Sequence, residues 1–425
     1  MASIAIEGRS ARSMSIGLVL LLGLAILLNY VDRGAIAIAA PKLKPELGLN
    51  ATQFGIAVSA FAWIYVPMQF VVGWMCDRWC VYRLMAAGIA LWAVSTMAMG
   101  LVGGLGLLVV LRIGLGLGES ITFPGATSII ARHVDPANRG KAYSVVAAGI
   151  AIGPVVGTFA GGMLVASAGW RTMFFIFGAA TLLWVVPWLL TARKLPDFAP
   201  EVRDPPVSIT QVARKFAVWS MGIAHFCATY PLYFIIAWLP LYLVQSRGFS
   251  IPQMTWLATL GFVAQAVSAL VLGWGSDAWT RSGRSEAFIR RAILVSGSAV
   301  EVVAVLGILF ATSAGQIGGW LILFGAAAAT SGSNLYAVAQ MFTGPRSTGS
   351  FIGIQNGVGN IPGIVMPIIT GMIVDYTGLY DNAFYVTAAV CAVGALWALF
   401  GIPAIRQLEF GESGGESRFE SPVSR

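Results

Sequence analysis

Twelve long apolar stretches, separated by short polar segments, constrain this chain more than any other feature of its sequence. A membrane-spanning helix needs about 20 mostly apolar residues, and only helices and closed barrels satisfy their backbone polar groups in lipid. Stretches of this length predict helices, with kinks at Pro154 and Pro362. The predicted spans are 14–40, 51–74, 83–102, 105–130, 143–165, 170–191, 219–245, 253–274, 289–312, 315–341, 350–374 and 382–405.

The composition excludes two broad classes of protein. Of the 425 residues, 57% are hydrophobic and only 10% are charged, whereas soluble domains carry about 25% charged residues. An ordinary soluble enzyme and a disordered chain are both excluded, because the apolar content is too high for either. The cysteines are too scattered to predict a disulfide framework or a metal site, so we expect free thiols. They are Cys76, Cys80, Cys227 and Cys391.

The basic residues predict the orientation of the chain. Of the 26 Lys and Arg residues, 20 fall on the side of the N-terminus and 4 on the opposite side. Loops that remain in the cytoplasm carry an excess of Lys and Arg, so both termini are predicted to be cytoplasmic. The net charge of +8 is therefore interpreted as a topology signal in a multi-pass protein of the inner (cytoplasmic) membrane. We expect the lipid bilayer, and no nucleic acid, as its partner.

A short motif occurs twice, after the second and after the eighth predicted span. Gly, Trp, Asp and Trp of 73–79 recur in 273–279, at an offset of 200 residues. Recurrence at equivalent topological positions predicts two six-helix halves related by an internal repeat. The predicted organisation is a cytoplasmic tail 1–13, an N-terminal half 14–191, a cytoplasmic linker 192–218, a C-terminal half 219–405 and a cytoplasmic tail 406–425.

The first copy of this motif resembles the signature of the major facilitator superfamily. That signature contains a glycine, an Asp-Arg pair and further basic residues between the second and third helices, which Gly73, Asp77, Arg78 and Arg83 match. The resemblance implies an all-α membrane protein with twelve transmembrane helices and the major facilitator fold. It also implies that Gly73, Asp77 and Arg78, with Asp277 of the second copy, take part in conformational gating.

Further motifs are similar to those of the anion:cation symporter branch of this superfamily. They lie in the first predicted span (29–33), in the fourth (Arg112, Glu119 and Pro124) and in the eleventh (356–360). Members of the branch carry sugar acids and other organic anions together with protons. The resemblance therefore implies a secondary transporter driven by a proton gradient, with no other cofactor.

Ionisable residues inside the predicted spans are few, and each costs at least about 2.5–3.5 kcal/mol to insert. Arg33 and Arg112 lie at similar depth, about 6–8 Å outside the midplane, and Glu119 lies two turns after Arg112 on the same helix face. Since guanidinium groups bind carboxylates through paired hydrogen bonds, we predict that both arginines bind an anionic substrate. Asp32 and Glu119 are predicted to carry the coupled proton. Alternatively, these four residues pair only with each other and hold the bundle together.

Polar side chains in the second and eleventh spans are candidates for hydrogen bonding to substrate. Tyr65 and Gln69 are four residues apart, and so are Asn356 and Asn360, which places each pair on one helix face. We predict that they recognise substrate hydroxyls. The alternative is that Tyr65 only packs between helices and that the amides, like Gln355, form hydrogen bonds between helices.

The seventh span contributes aromatic candidates. Trp238 is predicted to line the substrate cavity, together with Tyr233 and Tyr242; the alternative is anchoring at the membrane interface. His225 is interpreted as a structural residue, and Glu301 in the ninth span has no assigned role.

The leading functional hypothesis is a monomeric proton symporter for a small organic anion, such as a sugar acid or another hydroxy-carboxylate. A proton-driven efflux carrier for amphiphilic compounds is the alternative, although two intramembrane arginines disfavour it. A membrane enzyme would need a nucleophile, a metal cluster or a cofactor motif, and the four Cys and two His residues do not form one. A receptor with a transporter fold would differ from a carrier only in lacking uptake.

Overall fold

The computed structural model describes residues 2–195, 208–280, 285–343 and 347–408; the side chains of residues 2–15, 70, 77, 272–278, 280 and 333 are not among those described. All regular structure in these ranges is helical. Twelve helical segments are long and apolar enough to cross a membrane, as the sequence predicted. We label them α1 to α12 in chain order.

The first six spans form the N-terminal half. The helix that begins α1 starts at Ala2, within the predicted tail. The bounds are α1, Ala2–Arg33 and Ala35–Glu46; α2, Ala51–Arg78; α3, Val81–Met99; α4, Leu105–Glu119 and Thr122–His133; α5, Arg139–Ser167; and α6, Trp170–Ala192.

The other six spans form the C-terminal half. A short helix, Ile209–Ala213, precedes them, and residues 196–207 of the predicted linker lie outside the described residues. The bounds are α7, Phe216–Leu241, continued as a π-helix over Tyr242–Ser246; α8, Ile251–Thr280; α9, Glu286–Phe310; α10, Ala314–Phe342; α11, Thr348–Gly359 and Pro362–Thr377; and α12, Asp381–Leu396, continued as a π-helix over Trp397–Gly401.

The same helix pairs pack together in both halves. In the first half α1 packs on α5, α2 on α4 and α3 on α6. In the second half the equivalent helices pair in the same way, α7 with α11, α8 with α10 and α9 with α12. This repeated packing is the structural counterpart of the repeated sequence motif.

Three spans are broken near their centres, where the sequence reading expected continuous or kinked helices. In α4 the break at Ser120 has a clear cause, because the ring of Pro124 would clash with the carbonyl of the residue four positions earlier. In α11 the predicted kink is present as a break at Asn360, with Pro362 at the first position of the next helical segment. In α1 the break is at Gly34.

Each break adjoins a residue that the sequence analysis selected. Arg33 ends the first segment of α1, Glu119 ends the first segment of α4, and Asn360 follows the first segment of α11. Irregular backbone at membrane depth is tolerated where it is buried in protein or lines a cavity. The three breaks therefore predict a cavity or a binding site at the centre of the molecule.

The two halves pack tightly together at the end that the sequence predicts to be extracellular. In α2, a Cβ atom on Gly55 would lie 2.2 Å from the carbonyl oxygen of Pro367 in α11. Between α5 and α8, the rings of Phe159 and Trp256 are 5.0 Å apart. A glycine at position 55 is therefore required for the halves to approach this closely.

Candidate functional site

A cavity of about 50 Å³ lies between the two halves. Arg33 and Arg112 line it from the N-terminal half, and Tyr233 and Gly363 line it from the C-terminal half. The structure thus brings the two predicted substrate-binding arginines to one cavity. A space of this size holds only a few water molecules, so a larger ligand requires side chains or whole halves to move.

Arg33 is surrounded by hydrogen-bond acceptors and aromatic rings. Its Nη2 atom donates to the Tyr65 hydroxyl at 3.0 Å and to Oδ1 of Asn29 at 3.1 Å. Its Nε atom lies 3.5 Å from Oε2 of Glu119, and its guanidinium carbon lies 4.6 Å from the centre of the Tyr30 ring. Hydrogen bonds, an opposite charge and ring faces together stabilise a cation that burial would otherwise disfavour.

Arg112 is buried and is bonded to backbone rather than to a carboxylate. Its Nε and Nη2 atoms donate to the carbonyl oxygens of Ala57 and Val58 in α2, at 3.3 and 3.0 Å. Its guanidinium carbon lies 5.1 Å from the centre of the Phe61 ring. Among the described residues, no carboxylate forms an ion pair with Arg112. With Glu119 ionised, the cavity therefore carries an excess of one positive charge.

Asp32 does not join the arginines at the cavity. Its Oδ2 atom accepts hydrogen bonds from Nε1 of Trp92 in α3 at 2.7 Å and from the hydroxyl of Thr181 in α6 at 3.3 Å. The carboxylate is buried, and within the described residues its Oδ1 atom has no hydrogen-bond partner. The two predicted proton carriers therefore have different partners, because Glu119 faces Arg33 while Asp32 faces α3 and α6.

A chain of hydrogen bonds crosses the C-terminal half beside the break in α11. The Tyr233 hydroxyl donates to Oδ1 of Asn360 at 2.8 Å, and Nδ2 of Asn360 donates to Oδ1 of Asn356 at 3.0 Å. The Tyr336 hydroxyl of α10 donates to the same Asn356 oxygen at 3.1 Å. Since Tyr233 lines the cavity, this network connects the cavity to both predicted amides. Sequence analysis missed Tyr336, and only the polar stretch 330–334 before it could have drawn attention to α10.

Of the predicted substrate-binding residues, only Arg33 and Arg112 line the cavity. Tyr65, Asn360 and Asn356 are connected to lining residues by hydrogen bonds, whereas Trp238 and Gln69 are not. Trp238 is fully buried, with its ring 5.5 Å from that of Phe54 in α2 and 6.1 Å from that of Tyr380. It packs the halves together rather than facing a ligand. Gln69 is half-buried in α2, and within the described residues its Nε2 atom has no hydrogen-bond partner.

The predicted gating residues lie at the predicted cytoplasmic end of α2 and α8. Arg78 is the last residue of α2, with its guanidinium carbon 5.0 Å from the centre of the Trp74 ring, and Gly73 has open space around its Cα. The side chains of Asp77 and Asp277 lie outside the described residues. Their gating role therefore stays a prediction.

Three other buried polar side chains lie in the interior of the C-terminal half. His225 packs against the ring of Tyr336 at 5.5 Å. Gln355 and Glu301 are fully buried; among the described residues the Gln355 side chain has no hydrogen-bond partner, and Glu301 lies beside Ser331 of α10. None of the three lines the central cavity. The four cysteines are free thiols, as expected.

Comparisons with known proteins show what this chain is similar to. The profile of the Major Facilitator Superfamily matches residues 22–282 and 221–421. The chain is 29% identical to a probable sulfoacetate transporter of Cupriavidus necator, over 92% of this chain and 95% of the relative. It is 28% identical to a hexuronate transporter of Bacillus subtilis over 96% and 98% of the two chains. It is 27% identical to a probable galactarate/D-glucarate transporter of the same organism over 92% of each.

A solved structure shares the fold. A bacterial homologue of the human lysosomal transporter Spinster, in an inward-facing and unoccupied conformation, superposes with a TM-score of 0.78 at 18% identity. The alignment covers 92% of this chain and 98% of that one. The fold predicted from the sequence is thereby confirmed.

Proposed function

The chain belongs to the major facilitator superfamily, a family of transporters rather than enzymes. We propose that it carries a small hydroxylated organic anion across the membrane together with a proton. One observation carries the proposal. Arg33 and Arg112 line a single cavity at the interface of the halves, and among the described residues only Glu119 forms an ion pair with either of them. A buried excess of positive charge is unfavourable until an anion neutralises it.

The substrate carboxylate is proposed to bind between the two guanidinium groups. Guanidinium binds a carboxylate through two parallel hydrogen bonds, which a single ammonium cannot reproduce. Sulfoacetate, hexuronates and glucarate, which the relatives' names give as their substrates, are all small organic anions. Their chemistry supports an anionic substrate for this chain.

The hydroxyl groups of the substrate are proposed to bind to the C-terminal half. Tyr233 lines the cavity opposite the arginines and is bonded through Asn360 to Asn356. A ligand with a carboxylate at one end and hydroxyls along its length would contact both halves. Occupancy would then favour closure of the halves around the ligand.

Proton coupling is proposed to follow from competition for Arg33. A substrate carboxylate bound to Arg33 displaces Glu119, whose side chain is fully buried. A buried carboxylate that loses its cation is an uncompensated charge, which proton uptake neutralises. Asp32, which precedes Arg33 in α1 and is buried against α3 and α6, is proposed as a second proton carrier.

Transport is proposed to proceed by alternating access. The halves, closed at the outer end in this structure, would rock about the central cavity, as repeat-based carriers do. The proton gradient would supply the driving force, with no cofactor. We propose that the protein acts as a monomer in the inner membrane, with both termini in the cytoplasm.

Uptake by purified protein in liposomes tests the proposal. A panel of labelled organic acids should include glucuronate, glucarate and sulfoacetate, each measured with and without an imposed pH gradient, acidic outside. We expect at least one hydroxy-acid to accumulate only when the gradient is present. If no acid is taken up while an amphiphilic dye is exported, the protein is an efflux carrier and the proposal is wrong.

A further inference from the structure

The first turn of α2 is capped by groups from both halves of the molecule. Helix geometry leaves four backbone amides without partners at a helix N-terminus. Here Asn50 and Gln53 cap each other reciprocally, with the Gln53 amide 2.7 Å from Oδ1 of Asn50 and the Asn50 amide 3.0 Å from Oε1 of Gln53. The other two amides, of Ala51 and Thr52, donate to Asp375 of α11, at 2.9 Å to Oδ1 and 2.7 Å to Oδ2.

The bonds to Asp375 differ from the reciprocal cap in one respect. The cap formed by Asn50 lies within the N-terminal half and moves with α2. Asp375 lies in the C-terminal half, 324 residues along the chain from Ala51. Any motion that separates the halves at this end breaks both bonds to Asp375 and leaves the reciprocal cap intact.

The position of Asp375 is unfavourable for its own helix. It lies in the last turn of α11, where the helix dipole disfavours a negative charge. At the N-terminus of α2 the same charge is favourable, and Lys44 of α1 adds a further electrostatic attraction. The stabilising interactions of Asp375 thus lie across the interface, with the other half of the molecule.

Close backbone packing brings the carboxylate to the amides. Gly371 lies one turn before Asp375, and a Cβ atom there would be 2.5 Å from the carbonyl oxygen of Ala51. The glycine allows α11 to contact the first turn of α2 directly. The carboxylate and the two amides therefore meet only while this end is closed.

We propose that Asp375 is a gating residue: its carboxylate, bound to the first two amides of α2, holds the outer end of the carrier closed. Opening toward the outside requires these two bonds to break. This inference rests on the alternating access proposed above. It concerns the end of the molecule opposite to the motif of Gly73, Asp77 and Arg78.

Accessibility of a reporter cysteine tests this role. Ala37 is buried and lines the central cavity from the outer half of α1, so Ala37→Cys should react with an impermeant maleimide only when the outer end opens. The parent protein, with its four native thiols, gives the background. Adding Asp375→Asn keeps the size of the side chain and removes its charge. We expect labelling from outside, without substrate, to rise about threefold to tenfold, because the charge at the helix terminus and one of the two acceptor oxygens are lost.

A matched control separates gating from a general effect of charge. Asp381 is exposed in the first turn of α12, at the same end of the same half. Asp381→Asn should leave the labelling rate of Ala37→Cys unchanged. An equal rise in both variants would overturn the assignment to Asp375.

A second variant removes a donor instead of the acceptor. Ala51 is the first residue of α2, and Asn50 before it is extended, with φ −76° and ψ 176°, which suits a residue that precedes proline. Ala51→Pro therefore deletes one amide and places a ring carbon where the amide hydrogen met Oδ1 of Asp375, so it should also increase labelling. Unchanged labelling in both Asp375→Asn and Ala51→Pro, at normal expression, overturns the proposal.

The same reporter distinguishes this proposal from the proposed function. Substrate added to Ala37→Cys alone should change its labelling if the protein is a carrier of that substrate. The effect of Asp375→Asn is measured without substrate, so it supports or overturns the gating role whichever anion is transported.

Discussion

The Nε atom of Arg33 lies 3.5 Å from Oε2 of Glu119, and the carboxylate of this pair has no exposure to solvent. The pair joins α1 to α4 at the points where both helices are broken. Removing one partner of a buried ion pair leaves the other charge uncompensated, which is strongly destabilising. A substrate carboxylate that replaces Glu119 at Arg33 would therefore alter the preferred charge state of Glu119, which is the coupling that a symporter needs.

Glu119→Gln should abolish proton-driven accumulation and retain exchange. Glutamine has nearly the shape of a protonated glutamate, so the variant mimics the proton-loaded carrier in both orientations. We expect counterflow of labelled substrate to persist while accumulation under a pH gradient falls to the background of empty liposomes. Gradient-driven accumulation at the parental level would place the coupling proton elsewhere.

Asp32→Asn provides a contrasting case. Asp32 is bonded to Trp92 and Thr181 and does not line the cavity, so substrate affinity should change by less than about threefold, as for a site without direct contact. Accumulation should still decrease if Asp32 is the second proton carrier. Titration of binding by calorimetry, beside the uptake assay, checks both parts. A large loss of affinity would show that Asp32 supports the binding site itself.

Arg33→Lys should weaken substrate binding about tenfold or more, because an ammonium cannot form the paired hydrogen bonds of a guanidinium. Arg112→Lys should do the same. Arg171→Lys is the matched control, since Arg171 pairs with Glu46 at the outer surface, away from the cavity. If both cavity variants bind substrate as tightly as the parent, the arginines do not bind the substrate carboxylate.

Much of this site follows from the sequence because insertion into lipid is costly. Few residue types are tolerated at membrane depth without a reason, so Arg33, Arg112 and Glu119 are conspicuous in an apolar chain. The structure brings the two arginines to one cavity and pairs Arg33 with Glu119, while their role in binding stays a prediction. Hydropathy likewise predicts all twelve spans, because the length and the apolar composition of a span are properties of one continuous stretch of sequence.

The rest depends on contacts between helices, which the sequence does not display. In the sequence Asp32 stands beside Arg33, and only packing brings Trp92 and Thr181 to it. The role of Asp375 is equally hidden, because a carboxylate in the last turn of α11 looks like an ordinary surface residue until α2 is placed beside it. Contacts between residues that lie hundreds of positions apart leave no recognisable pattern in the sequence.

Asn356→Ala should reduce discrimination between a hydroxy-acid and its deoxy analogue. Asn356 accepts hydrogen bonds from Tyr336 and Asn360, and a site built to bond a hydroxyl rejects a ligand without one because its own polar groups are left unpaired. Competition against labelled uptake should favour the hydroxy-acid in the parent by about tenfold or more and by much less in the variant. Equal competition in the parent would refute hydroxyl recognition and leave a simpler carboxylate carrier.

Gly55→Val should disfavour closure of the outer end. A Cβ atom at position 55 would lie 2.2 Å from the carbonyl oxygen of Pro367, and the obstacle is backbone, which cannot rotate away. Overpacking of this kind costs about 1–3 kcal/mol, enough to shift a balanced equilibrium between two orientations of the halves about fivefold or more toward the outward-open one.

Gly106→Val is the matched control for this change, because a Cβ atom at position 106 meets no atom within 4 Å. Transport should fall in Gly55→Val and stay near the parental level in Gly106→Val, while outside labelling of Ala37→Cys rises only in the former. The two effects belong together, since a carrier that closes less often outside exposes its cavity there for longer and releases substrate inside more slowly. If Gly55→Val is expressed normally and loses transport while its labelling stays unchanged, the contact with Pro367 does not govern closure. The valine would then act by disrupting the site.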